Sequence, residues 1–238
     1  VLTLELVEQA IGRRALDYDK TGDQHYHTIS AYIKSLRGGD PDAALLWMVR
    51  MLDAGEDPMF IARRLVIQSS EDVGNADPHA LPLALAALQA VEKVGLPEAA
   101  IPLAQATVYV ATAPKSNASY VALGRAREAL RENGPPSVPM HLRAASLRGA
   151  RERLGEGVGY VYPHDEPEHF ARQDYLPPGW KRQPFYTPGE QGFESEIARR
   201  LQKWWGENLA RNVSREAWNT VNLDAYPKPD LDVSNTQD

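Results

Sequence analysis

The sequence predicts an all-α fold: an antiparallel helical bundle followed by an irregular segment rich in aromatic residues and proline. Three observations predict it. The pair Asp-Pro recurs at Asp40-Pro41, Asp57-Pro58 and Asp77-Pro78, each time just before apolar residues at helical spacing. An N-cap Asp accepts a hydrogen bond from an otherwise unpaired backbone N–H, and Pro lacks an N–H where none is needed. Each such cap contributes about 1 kcal/mol. Gly55, Gly74 and Gly95 then close these runs, because glycine readily takes the left-handed backbone of a helix end. Finally, the predicted helices have similar lengths and short connections, the pattern of antiparallel neighbours. The recurrence is one of punctuation and not of fixed period, so it does not argue for a solenoid.

The elements follow in order. Thr3 to Ala10 reads as a short helix, with Leu4, Val7 and Ile11 at helical spacing, and Arg13 to Gly22 reads as a linker. His25 to Leu36 places Tyr26, Ile29, Ile33 and Leu36 three to four apart, which predicts an amphipathic helix stopped by Arg37-Gly38-Gly39. The Asp-Pro caps start helices over roughly 41–54, 58–73 and 78–94. The last of these is apolar nearly all round, from Leu81, Leu83, Leu85, Leu88 and Val91. Such a helix is packed on several sides or sealed by another subunit. Residues 96–112 form a further helix that starts near Ile101, because Pro102 sits too deep for a first turn begun at Pro97. Val108-Tyr109-Val110 has strand-like residues, but flanking alanines keep it helical. Ser116 or Asn117 caps a helix running to about Arg131, with Tyr120, Leu123 and Leu130 expected inward, and Asn133-Gly134 ends it.

Gly134-Pro135-Pro136 changes the character of the chain, and residues up to Pro139 read as a strap. Residues 141–154 carry Arg143, Arg148, Arg151 and Arg153 against one acid, Glu152. Gly155 to Pro188 lacks helical periodicity but holds Tyr160, Tyr162, Phe170, Tyr175, Trp180, Phe185 and Tyr186, so it is expected to dock its rings on the helical body. Glu190 to Leu209 predicts a final helix, and a polar, Pro-containing tail expected to be disordered begins near Asn219.

Composition excludes several functions. A net charge of −6 gives no global basic field for nucleic acid, so any such contact must use a local patch. The absence of cysteine removes disulfides, thiolate metal sites and cysteine nucleophiles. No apolar run approaches the roughly 18 residues needed to span a bilayer, so no membrane partner is expected. The chain begins without Met inside an apparent helix, and it reads as a fragment of a longer protein.

Catalytic motifs are wanting. The stretch Ser69 to His79, Ser-Ser-Glu-Asp-Val-Gly-Asn-Ala-Asp-Pro-His, reads as a tight helix-to-helix corner. A catalytic reading of Glu71 and Asp72 is weaker, because a carboxylate pair alone supplies neither a metal-ligand set nor a nucleophile. No phosphate-binding Gly-x-x-x-x-Gly-Lys-Ser/Thr occurs, and Arg37-Gly38-Gly39-Asp40 reads as a helix stop plus cap. His25 and His27 point about 200° apart on a helix and cannot share a metal. His164 and His169, with Asp165 and Glu166 between, have only a loose zinc-ligand spacing. No Gly-x-Ser-x-Gly elbow is present. The chain is thus expected to hold no catalytic residue, cofactor or metal of its own.

Several ordered motifs resemble one family. Gly22-Asp23-Gln24-His25-Tyr26-His27 through Asp40-Pro41-Asp42-Ala43-Ala44-Leu45, Ala62-Arg63-Arg64, Ser70 to Pro78, Ala113-Pro114-Lys115-Ser116-Asn117 and Val138-Pro139-Met140-His141-Leu142-Arg143 are similar to the C-terminal part of the replication-associated recombination protein A (RarA/MgsA) family. Tyr162-Pro163-His164-Asp165, Gln173-Asp174-Tyr175-Leu176-Pro177 and Phe185-Tyr186 add to the resemblance. These are AAA+ ATPases similar to Werner helicase-interacting protein and related to clamp loaders. The resemblance covers about residues 1–203 and fades after Trp204.

The resemblance implies that residues 1–21 end an AAA+ lid and linker. Residues 22–133 would be a helical oligomerisation domain similar to the clamp-loader collar, residues 134–218 a family-specific segment with the final helix, and 219–238 a tail. The parent would be a DNA-dependent ATPase using ATP and Mg at stalled replication forks, cytoplasmic and nucleoid-associated, tetrameric, near single-strand-binding protein. Its Walker motifs would lie upstream of Val1. Two functions follow for this chain. One is assembly with copies of itself, with Trp47, Met51, Leu81, Leu85 and Leu88 as interface candidates. The alternative is nucleic-acid binding through Arg143, Arg148, Arg151 and Arg153.

Overall fold

The computed structural model describes residues 23–144, 154–180 and 184–206. Among them every regular element is helical, and no helix is long and apolar enough to cross a membrane. The expected helix at Thr3–Ala10, the Arg13–Gly22 linker, the tail from Asn219, and Arg148, Arg151 and Arg153 lie outside the described residues. The α-helices are α1 (Asp23–Gly38), α2 (Pro41–Asp53), α3 (Pro58–Gln68), α4 (Ala80–Lys93), α5 (Ala100–Thr112), α6 (Ala118–Asn133) and α7 (Glu194–Trp205). The chain divides into two compact units at Ala126/Arg127, Gln183/Pro184 and Lys203/Trp204.

The first unit is an antiparallel helical bundle. Its helices begin where the Asp-Pro pairs place them. Asp40 Oδ1 accepts from Ala43 N at 2.9 Å, and Asp57 Oδ1 from Met59 N at 2.9 Å. The third pair behaves differently. Asp77 Oδ1 accepts from His79 N at 3.0 Å, so Pro78-His79 form a turn and α4 starts at Ala80. Its other oxygen is taken by the Tyr109 hydroxyl at 2.7 Å, which anchors the turn to α5. Pro102 lies in the first turn of α5, where backbone N–H groups lack helical partners anyway.

The core is built around α5, which packs against α1, α2, α3 and α4. Tyr32, Leu36, Met48, Met51, Ile61, Leu65, Leu103 and Val110 are its fully buried larger side chains. Each such burial stabilises the fold by roughly 1.5–3 kcal/mol. Two polar groups in it satisfy one another: the Tyr32 and Thr107 hydroxyls lie 2.9 Å apart, and Thr107 donates to Met48 Sδ. Burial keeps the Tyr32 phenol protonated far into alkali, the Thr107 bond opposing it only in part.

α4 reverses the expected division of labour. Its buried face consists of Ala80, Ala84, Ala87 and Val91, while Leu81 and Leu85 point outward, 37% and 42% exposed. Small residues let α4 sit close to its neighbours, and the larger leucines are left outside. In α6, Leu123 and Leu130 are 50% and 47% exposed, against the expectation that they face inward. That helix buries Ala118 and Val121 near its start instead.

The second unit is irregular. Phe170 stacks on Trp204 with centroids 5.5 Å apart and meets Trp205 edge-on at 5.3 Å. Tyr160, Tyr162 and Tyr175 stay exposed.

Candidate functional site

Three stretches separated in sequence meet at one corner of the first unit: 69–79, 113–119 and 185–194. The corner begins where α3 ends. The expected helix to Val73 stops being α-helical at Gln68, and Ser69–Val73 form one wide π-turn. Such a turn carries an extra residue and re-aims its side chains. Here it delivers Glu71 and Asp72 to Arg37 at the end of α1. Arg37 Nε lies 2.9 Å from both oxygens of Asp72, and Arg37 Nη2 donates to Glu71 Oε1 at 3.0 Å. Gln68 Nε2 donates to Asp72 Oδ2 at 2.7 Å. Burial first, and the neighbouring Asp72 charge second, push the Glu71 carboxyl above its ordinary range, with Arg37 and Arg64 opposing.

The second stretch docks by its backbone. Ser116 N donates to Asp72 O at 2.7 Å. Lys115 turns back over the end of α5 and donates to the carbonyls of Val110, Ala111 and Ala113 at 3.0, 2.7 and 2.7 Å. Those are carbonyls a helix C-terminus leaves unpaired. Burial lowers the Lys115 pKa, and the Asp72 charge offsets part of that. Asp77 is pulled the other way: burial would raise it, but the bonds from Tyr109 and His79 outweigh burial and hold it below the usual carboxylate range.

The third stretch locks onto the first. Phe193 N donates to Ala76 O at 2.8 Å. Gly192 sits at φ +53°, and a Cβ there would lie 2.1 Å from Ala76 O and 2.9 Å from Pro114 Cγ. Asn75 Nδ2 donates to Ser119 Oγ and to the Tyr186 hydroxyl oxygen, both at 3.2 Å. The Tyr186 hydroxyl donates to Glu194 Oε1 at 3.0 Å, and Gly189 N to Glu194 Oε2 at 2.5 Å. Glu194 is fully buried. Burial first, and Glu194 after it, push the Tyr186 phenol up to about 12, against the Asn75 bond.

The charged groups named at this corner are thus spent on one another, on neutral side chains or on backbone. The arrangement holds helix ends in register and presents no nucleophile paired with a base. Among the described residues no group of three or more His, Cys, Asp or Glu is placed to hold a metal ion. The His164 and His169 rings lie 5.2 Å apart at a tilt.

The interface candidates separate into three environments. Met51 is fully buried in the core and offers no surface, which corrects its place among them. Trp47 and Leu88 are half-buried against the core; Arg50 sits over the Trp47 ring at 5.8 Å. Leu81 and Leu85 are exposed. Ile101 and Val108 on α5, seven residues apart and not among the candidates, are 71% and 37% exposed. Of the DNA-contact candidates only Arg143 lies within the described residues, and its Nε donates to Val138 O at 3.0 Å.

Comparison with known proteins gives a consistent result. Residues 38–205 match the family described as MgsA AAA+ ATPase C terminal, and residues 1–37 the one described as AAA C-terminal domain. An uncharacterized AAA domain-containing protein of Mycobacterium tuberculosis is 47% identical over 203 residues, 85% of this chain and 45% of that protein. Replication-associated recombination protein A of Haemophilus influenzae is 44% identical over 199 residues, 83% of this chain and 44% of the relative. A Dictyostelium discoideum protein called ATPase WRNIP1 is 42% identical over 187 residues, 78% of this chain and 21% of the relative. The chain spans less than half the length of these relatives.

Proposed function

Because the chain belongs to the MgsA AAA+ ATPase C-terminal family, we propose that it is the assembly domain of an AAA+ DNA-dependent ATPase acting in replication-associated recombination. Residues 22–133 join copies of the chain, into a tetramer on this reading. Residues 134–218 form the family-specific segment, and ATP and Mg are handled elsewhere in a cytoplasmic, nucleoid-associated parent working at forks near single-strand-binding protein.

The observation that supports assembly is the uncharged outer face of α4 and α5. Leu81 and Leu85 on α4, and Ile101 and Val108 on α5, are exposed at helical spacing. Between Ala80 and Val91, and again between Ala99 and Pro114, the sequence carries no charged residue. Solvated helix faces normally carry charge, and contiguous uncharged apolar surface marks an interaction site. Contact between identical copies favours closed symmetric oligomers.

The test is the double substitution Leu81→Glu/Leu85→Glu, read by light scattering. Both side chains are on the surface, so folding is expected to persist by circular dichroism while the mass falls to that of one chain. An unchanged oligomeric mass refutes the assignment of this face. Nucleic-acid binding through Arg143, Arg148, Arg151 and Arg153 is the second reading, supported by their charge pattern. It requires affinity for fork or single-stranded DNA that weakens steeply with salt.

A further inference from the structure

The second unit exposes an aromatic patch. Tyr160, Val161, Tyr162 and Tyr175 are 43%, 40%, 53% and 40% exposed. Gln173 acts as a fork: its Nε2 donates to Val161 O at 2.7 Å and to the Tyr175 hydroxyl oxygen at 3.0 Å, while its Oε1 accepts from Val161 N at 3.2 Å. Tyr175 also meets the edge of Trp205, with centroids 6.5 Å apart. Exposed tyrosine rings are a surface on which proline-bearing extended peptides dock, because prolyl rings stack on tyrosine faces and the peptide's φ angles are already fixed.

The chain supplies such a peptide. Residues 206–238 lie beyond the stretch that the family match covers, and they include Tyr226-Pro227-Lys228-Pro229. They leave the described structure at the patch itself: Trp205 touches Tyr175, and its carbonyl accepts from Arg172 Nη2 at 3.2 Å. About 20 residues separate Gly206 from Tyr226, and such a length can reach at most roughly 70 Å, so covalent reach is no obstacle. A tethered ligand competes at an effective concentration of order millimolar, so even a weak contact is well populated. Charge argues against nucleic acid as the occupant. Asp165 and Glu166, exposed and close after Tyr162 in sequence, oppose a phosphate backbone.

We propose that the Tyr160–Tyr162/Tyr175 patch is the docking surface for this chain's own Tyr226-Pro227-Lys228-Pro229 stretch. Hydrogen exchange on the full chain tests it, using Pro227→Ala/Pro229→Ala and Tyr160→Ala/Tyr162→Ala. Tyr160 and Tyr162 lie outside the helical bundle, and circular dichroism checks for both variants that folding is kept. The expected result is reciprocal. Loss of the prolines speeds exchange at Tyr160 and Tyr162 about two- to tenfold, and loss of the tyrosines speeds it similarly at Tyr226 and Lys228, independent of protein concentration. Three results overturn the proposal: no change in either variant, a change that appears only as concentration rises, or protection of Tyr160 and Tyr162 only when a single-stranded oligonucleotide or a separate proline-rich peptide is added.

Discussion

Gly192→Ala probes the lock between the third stretch and the corner. The residue sits at φ +53°, where a Cβ costs about 1–2 kcal/mol. That methyl would lie 2.1 Å from Ala76 O, well inside contact distance, and 2.9 Å from Pro114 Cγ. The carbonyl belongs to backbone and cannot swing away, so the segment must retreat by about 1 Å and lose the Phe193 N–Ala76 O bond. That bond is worth about 0.5–1.5 kcal/mol net. The total is about 1.5–3.5 kcal/mol, equivalent to a fall in Tm of about 3–14 °C for a domain of this size. Calorimetry reads the shift, and hydrogen exchange at the Phe193 amide reports whether the bond itself has opened. A Tm within about 1 °C of the parent, with the Phe193 amide still protected, refutes the account of this contact.

Three further outcomes are expected. Lys115→Met removes a cation from three carbonyls at the end of α5 and should lower stability by about 1.5–3 kcal/mol in urea titration; no loss means those carbonyls find water instead. Met51→Ala should cost about 2–5 kcal/mol, as deletion of a fully buried side chain does, whereas a surface position would change the urea midpoint little. The Tyr186 phenol is raised from 10.0 to about 12 on folding. A raised group contributes stability that is complete below its unfolded value and is lost as pH climbs through the folded one. Tyr186→Phe should therefore flatten the fall in urea midpoint between pH 10 and about 12; parallel profiles for the two proteins would contradict this.

Much of the bundle was legible in the sequence because its signals are local. Asp40 and Asp57 each bond an amide two or three residues away, so the caps announce themselves without knowledge of the fold. Asp77 misled because its second oxygen is claimed by Tyr109, 32 residues on. The orientation of α4 was not legible either. Alanine and leucine are both good helix formers, and only the closeness of α3 and α5 decides that the alanines go inside. At the corner, Ser69–His79 was readable as a turn, but its lock was not. Glu194 opens a helix, a position that normally reads as solvated, and its burial depends on Tyr186 and Gly189 folding over it.

The central claim is that copies of this chain cover the α4–α5 face. The mass of the unmodified chain in solution, measured by sedimentation equilibrium at micromolar concentration, tests it most directly. The account predicts a whole-number multiple of 26.4 kDa, four-fold for the tetramer. A single species of 26.4 kDa across that range contradicts it.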